Sequence, residues 1–424
     1  MQWSRRYALW SYVRSSMWIA PLAGYLISMI LIRVLGRLDD RLGWSWNWVL
    51  SPEVAQSGLE VFIAAILSFI VFTFSSLLVA IQVASAQLTP RIIATTLLRD
   101  NPIRLIVALF VLTMAFNVGV LVRTHDAVPY LLLTTALVLT GVSISAFLYL
   151  IDYAARLLRP VSIVWRVGDA GLAVLQQVYP APIEGTHVPS PPFPVLAPAA
   201  REILHGGTSG IVLAVDLGRL RREAERSDGV IEFTHRVGDF VAVDEPIFRL
   251  HAGAGDVDDE VLRAAVAFGP ERTLEQDATF AFRVIVDVAI KALSSAINDP
   301  TTAVLAIDQL HRLLRAVGRR HLHDDVIRDA VGAMRVIMRT PNWEDFVALA
   351  CREIRFYGAS NFQVARRLRA MLENLMRTLP DARVPALREE LELLDWALEQ
   401  LPMAPRDLAL ARVPDLQGLG SASR

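Results

Sequence analysis

The fold class this sequence predicts is a mainly α membrane protein, with a four-helix transmembrane part, a small β-barrel-like module and a helical cytoplasmic domain. Three observations predict it. Four apolar stretches in the first third of the chain are each long enough to span a bilayer. The arginines flanking them favour one side. Beyond them, short alternating runs broken by Gly and Pro give way to apolar residues at helical spacing.

The apolar stretches run from about Met17 to Leu35, Leu59 to Val83, Pro102 to Val122 and Pro129 to Ile151. A hydrocarbon core of about 30 Å takes roughly 20 apolar residues in helix. Helices span it because lipid offers no partner for free backbone amides. A 54% apolar composition and a mean hydropathy of +0.40 agree. The first stretch is too long for a signal-peptide core and lacks a small-residue cleavage site, so it reads as a retained helix. These helices define a transmembrane domain over 1–155.

Arg5, Arg6 and Arg14 precede the first span, Arg91, Arg99 and Arg104 lie between the second and third, and Arg156, Arg159 and Arg166 follow the fourth. The other side carries fewer: Arg33, Arg37, Arg41 and Arg123. The positive-inside rule then places both termini in the cytoplasm. Trp44, Trp46 and Trp48 fall in the first outer loop, a headgroup-layer position.

The second span differs from the others. Ser68, Ser75 and Gln82 recur at seven-residue spacing, hence on one helix face. Gln87 and Arg91 continue the pattern towards the cytoplasm. Two readings fit: a pore or cavity lining, or small and polar side chains gluing helices together. Glu60 and Asp152 sit at span ends, and no carboxylate lies mid-span, which argues against a proton relay.

After the spans, 156–200 holds an amphipathic helix from Val161 to Val178 and then a proline-rich linker. A small β module is expected over 201–254, a helical cytoplasmic domain over 255–403 and a flexible tail over 404–424. Within the β module, Val237-Gly238-Asp239-Phe240-Val241 followed by Pro246-Ile247-Phe248-Arg249-Leu250 resembles the small barrel of biotinyl and lipoyl carriers. No lysine stands at the carrier position, so no cofactor is expected. Helices are predicted over Asp258–Phe268, Gln276–Ile297, Thr301–Val317, Asp324–Met338, Glu344–Phe356, Asn361–Leu379 and Val384–Leu401.

Chemistry concentrates around the predicted helix Gln276–Ile297. Arg272, Gln276, Asp277, Arg283, Asp287, Lys291, Asn298 and Asp299 are the candidate ligand-binding residues. Lys291 is the only lysine of the chain. A buried charged stripe must be paired or face a polar cavity. In one reading, Arg283, Asp287 and Lys291 satisfy each other at i,i+4 while Asn298, Asp299 and Pro300 form a helix corner. In another, Arg272, Arg283 and Lys291 gather a small anionic ligand. In a third, Asp277, Asp287 and Lys291 serve catalysis.

No P-loop, dinucleotide fingerprint or G-x-S-x-G elbow occurs, which weakens the case for an enzyme. A net charge of −1 argues against nucleic acid as a partner. The single cysteine, Cys351, excludes an intramolecular disulfide. His321, His323, Asp324 and Asp325 read as a solvated helix start, and no metal site is expected.

Gly269-Pro270-Glu271-Arg272-Thr273, Gln276-Asp277 and Lys291-Ala292-Leu293-Ser294 through Asn298-Asp299-Pro300-Thr301-Thr302 resemble a widespread bacterial family of predicted multi-pass membrane proteins of unknown function. Ser75-Ser76 and Gln87-Leu88-Thr89-Pro90-Arg91 fit it too, while Ala281 stands where a glycine is expected. The resemblance implies an inner-membrane topology and transfers no catalytic role. The expected function is a homo-oligomeric channel- or transporter-like protein with a cytoplasmic regulatory domain. A membrane-anchored scaffold or ligand sensor and a membrane enzyme are the alternatives. The bilayer, further copies of the chain, and an ion or small anionic ligand are the expected partners.

Overall fold

The computed structural model describes residues 13, 16–42, 51–87, 100–124, 128–157, 159–183, 196, 198–322 and 325–420. The chain forms two compact units. One falls within Tyr12–Ala86 and Ile92–Ser162, the other chiefly within Ile163–Arg424.

The first unit is a bundle of α1 (Ile19–Leu42), α2 (Pro52–Gln87), α3 (Asn101–Arg123) and α4 (Tyr130–Leu157). All four are long and apolar enough to cross a membrane. The helices α1 and α3 meet backbone to backbone: a Cβ on Gly24 would lie 2.4 Å from the Ala108 carbonyl oxygen, and one on Gly119 would lie 2.3 Å from Ile32. Small residues permit this approach where hydrophobic burial gives helices in lipid no reason to associate. Between α3 and α4, Thr113 and Ser143 hydroxyls bond at 2.9 Å, and Asn117 donates to Thr140 at 3.2 Å. These groups are buried, as bundle polar groups must be. The α2 helix joins through bulk instead: Phe69 stacks on Phe147 with centroids 4.1 Å apart, and Ile66 packs beside Phe110.

The second unit is mostly helical and carries two sheets. Its strands are β1 (Arg201–Leu204), β2 (Gly210–Val215), β3 (Gly229–Phe233), β4 (Phe240–Val241), β5 (Pro246–Ala252), β6 (Val266–Gly269), β7 (Val326–Arg328) and β8 (Met334–Met338). One sheet has the order β1-β5-β3-β8-β7 and the other β4-β2-β6. Pairing is antiparallel except between β3 and β8, where Ile231 faces Val336 and Phe233 faces Met338 in parallel register. The sheets share a core of Val212, Val241, Ile231, Phe248 and Val336, covered by α6 (Leu217–Arg226) through Leu220 and Ala224.

The expected barrel does not close, because the two sheets stay separate and the larger one recruits strands from far along the chain. Two predicted helices are corrected accordingly. Asp324–Met338 is the β7–β8 hairpin: its Val336-Ile337-Met338 run is buried in the sheet core, which overrides its helical spacing. Asp258–Phe268 is a short helix, α7 (Asp259–Arg263), followed by β6.

The helices α8 (Ala278–Ala292), α9 (Pro300–Gly318), α10 (Trp343–Gly358), α11 (Phe362–Thr378), α12 (Val384–Glu399) and α13 (Pro405–Ala411) complete the unit. α8 packs between α9 and α10 and is buried nearly all round, as its composition requires. The amphipathic helix α5 (Pro160–Val178) lies on α8 and α9: a Cβ on Gly171 would be 2.7 Å from the Ala281 Cβ. That contact explains why a small residue stands at 281. The proline-rich stretch begins by pairing Pro182 with Arg320.

The segment expected to be a flexible tail is bound as far as Gly420. Arg366, fully buried, donates to the Val413 carbonyl at 2.9 Å and the Gly420 carbonyl at 3.2 Å. Asp415 holds the amides of Gln417, Gly418 and Gly420.

Candidate functional site

The start of α8 carries a polar site beside a cavity. Asp277 caps the helix: its Oδ1 accepts from the amides of Thr279 and Phe280, each at 3.1 Å, and from the Thr279 hydroxyl at 2.6 Å. Orphan amides at a helix start call for such a side chain. The residue is 4% exposed, and its second oxygen, Oδ2, accepts no hydrogen bond. The nearest cation is Arg272, whose Nε lies 3.9 Å from Oδ2 and donates instead to the Gly238 carbonyl at 2.8 Å. Burial holds the Asp277 carboxyl above the usual range, against the opposing pull of Thr279 and Arg272.

Gly238 closes this corner. Its φ is +95°, and a Cβ there would lie 2.5 Å from Asp277 Oδ2 and 3.0 Å from the Arg272 guanidinium. The preceding turn residue, Val237, and the neighbour Gln276, whose Oε1 accepts from the Val215 amide at 3.1 Å, complete the surroundings.

A cavity of about 310 Å³ opens here. Val178 and Tyr179 from the end of α5, Val215 and Leu217, Val237, Gln276 and Asp277, and the run Met338-Arg339-Thr340-Pro341 line it. Its wall is chiefly apolar with a few convergent polar groups, the usual character of a ligand pocket. Burial, then the charges of Asp277, Asp325 and Asp345, push the Tyr179 phenol above its ordinary value.

The predicted site residues therefore separate into three places. Gln276 and Asp277 line the cavity, and Arg272 lies beside Asp277. Farther along α8, Arg283 donates to Asp287 and, at 3.0 Å, to Glu353 of α10. The Arg283 guanidinium is held well above its usual value, chiefly by Glu353, which in turn is held below the ordinary glutamate value by Arg283. Lys291 stands in the last turn of α8, where a cation suits the helix dipole. Asn298, at φ +48°, and Asp299 form the corner into α9, with Asp299 Oδ1 accepting from the Thr302 amide at 3.1 Å.

The 15 residues of α8 put about 20 Å between its ends. So Arg272, Arg283 and Lys291 do not gather round one anion, and Asp277 does not join Asp287 and Lys291 in one constellation. His323 and Asp324 lie outside the described residues. Among those described, no group of three or more His, Cys, Asp or Glu residues has the arrangement of a metal site.

Sequence reasoning missed Tyr179, Met338–Pro341 and Glu353, which reach these places only through tertiary packing. The Gly238-Asp239 turn was visible, but not what it encloses.

In the bundle, Ser68, Ser75 and Gln82 are all exposed on the outside of α2. The Ser68 hydroxyl donates to the Ala64 carbonyl of its own helix at 2.9 Å, so it does not glue helices within one protomer. The Gln87 side chain and Arg91 lie outside the described residues.

The model of a family of predicted membrane proteins, DUF2254, matches residues 14–374. The chain belongs to this family. Uncharacterized proteins of Mycobacterium bovis and of two Mycobacterium tuberculosis strains are each 29% identical to it over 444 residues, spanning 99% of this chain and 82% of theirs. No solved structure matches. DUF2254 membership agrees with the four apolar helices and assigns no activity. The Arg272, Gln276, Asp277 and Lys291–Thr302 signature falls inside the matched range, and its structural content is a capped helix, a cavity edge and a helix corner.

Proposed function

We propose that this DUF2254 protein is a homo-oligomeric, channel- or transporter-like protein of a bacterial inner membrane, with its second unit as a cytoplasmic regulatory domain. One observation carries the reading: Ser68, Ser75 and Gln82 all face outward from a single protomer, on a helix of mean hydropathy 2.5. A carboxamide in hydrocarbon without partners costs several kcal/mol. Further copies of α2 or a water-filled path between them relieve that cost. The interior of the bundle already has its own polar pairs in Thr113–Ser143 and Asn117–Thr140, so the α2 residues are not needed there. The arginine distribution supports a cytoplasmic second unit, and the mycobacterial relatives support a bacterial membrane. An ion is the simplest cargo for a serine- and glutamine-lined path.

The test combines assembly and flux. In a Cys351→Ala background, Ser75→Cys should crosslink between protomers in membranes, and proteoliposomes should pass potassium or chloride more slowly after Gln82→Leu. A monomer in membranes, with no flux of either ion, overturns the reading. The cavity beside Asp277 favours the ligand-sensor reading as well, since a regulatory domain needs such a site.

A further inference from the structure

Asp277 lines the cavity and has one buried oxygen that accepts no hydrogen bond. Asp277 Oδ1 is fully committed to the start of α8, whereas Oδ2 has no donor. A buried carboxylate oxygen without a donor leaves its desolvation uncompensated. Arg272 does not compensate it, since its Nε is 3.9 Å away and turned to Gly238. Gln276 turns its Oε1 to the Val215 amide, and its Nε2 makes no hydrogen bond to Oδ2. The remaining surroundings of the cavity are mostly apolar, with Val178, Leu217, Val237 and Met338 beside the polar Gln177, Arg339 and Thr340.

We propose that the cavity binds a small organic ammonium compound, its N–H group donating to Asp277 and its apolar body resting on Leu217, Val237 and Met338. A volume of about 310 Å³ holds a ligand the size of one aromatic ring with a short chain. The ammonium charge answers the carboxylate directly, and the low-dielectric wall strengthens the pairing. Tyr179 also lines the cavity. The opposing groups are Arg272, whose Nε lies 3.9 Å from Oδ2, and Arg339, exposed at the rim, which would favour an anion instead.

The probes that separate these outcomes are benzylammonium and benzoate, matched in shape and opposite in charge. Calorimetric titration into the detergent-solubilised full chain should give saturable binding of benzylammonium and at least tenfold weaker binding of benzoate. Asp277→Asn keeps the helix cap, because Asn is as good an N-cap as Asp. It should weaken benzylammonium at least tenfold. Leu217→Trp, which fills the cavity from another wall, should abolish binding of both probes, and gel filtration of each variant checks the fold. Absence of saturable binding would mean that water alone meets Oδ2, and overturns the proposal. Preference for benzoate, or benzylammonium binding unchanged in both variants, overturns it equally. None of these results depends on oligomer formation or ion flux.

Discussion

Arg283 and Glu353, 70 residues apart in the chain, join α8 to α10 through a guanidinium that also holds Asp287 one turn along its own helix. The sequence shows the local half of this network as an i,i+4 pair. The distant half fixes α8 against α10. A double-mutant cycle with Arg283→Ala and Glu353→Ala should give a coupling of about 0.5–1 kcal/mol in chemical unfolding of the second unit, modest because Glu353 is 44% exposed. A coupling indistinguishable from zero would reduce the pair to a surface contact.

The same pair sets a pH dependence. Glu353 is held below its ordinary value of 4.5 in the folded protein by Arg283. A depressed acid binds fewer protons folded than unfolded, so its contribution is present above the unfolded value and lost as pH falls through the folded one. Melting temperatures recorded from pH 6 to pH 3 should drop less steeply for Glu353→Gln than for the parent chain.

Gly238 should tolerate no side chain. Its φ of +95° favours glycine, and a Cβ would press on Asp277 Oδ2 at 2.5 Å. Gly238→Ala should lower stability by about 1–3 kcal/mol in thermal or denaturant unfolding. Parent-like stability would show that the turn relaxes freely.

Asp299→Ala should cost about 1 kcal/mol by removing the cap of α9, and Asp299→Asn should restore most of it. If Asn fails to rescue, the carboxylate has a role beyond capping.

In the bundle, Thr113→Val and Ser143→Ala together should cost about 0.6 kcal/mol, the usual worth of one hydroxyl pair between membrane helices. Unfolding from bicelles by added sodium dodecyl sulfate measures it.

The four spans were legible because lipid imposes a length and an apolar composition that survive any packing arrangement. The corner Asn298-Asp299-Pro300 was legible because its chemistry is local: a residue at positive φ, a cap and a first-turn proline. The hairpin Val326–Met338 was not, since a buried apolar run reads equally as helix or strand until its neighbours are known. Asp277 was recognised as chemically notable, yet its cavity depends on Tyr179 and Met338, which converge from opposite directions along the chain. The bound tail was missed because Arg366 looks like one more surface arginine in the pattern of α11, and its burial follows only from the carbonyls of Val413 and Gly420.

The parallel pairing of β3 with β8 has a temporal consequence. β3 ends at Phe233 and β8 begins at Met334, with β4, β5, α7, β6, α8, α9 and β7 made between them. At about 5–20 residues per second, synthesis of that interval takes on the order of 5–20 s. Throughout it, the edge of β3 that later pairs with β8 is unpaired, which favours nascent-chain aggregation. A ribosome stalled before Met334 should therefore display a protease-sensitive β module, and one stalled after Met338 has emerged should display a resistant one.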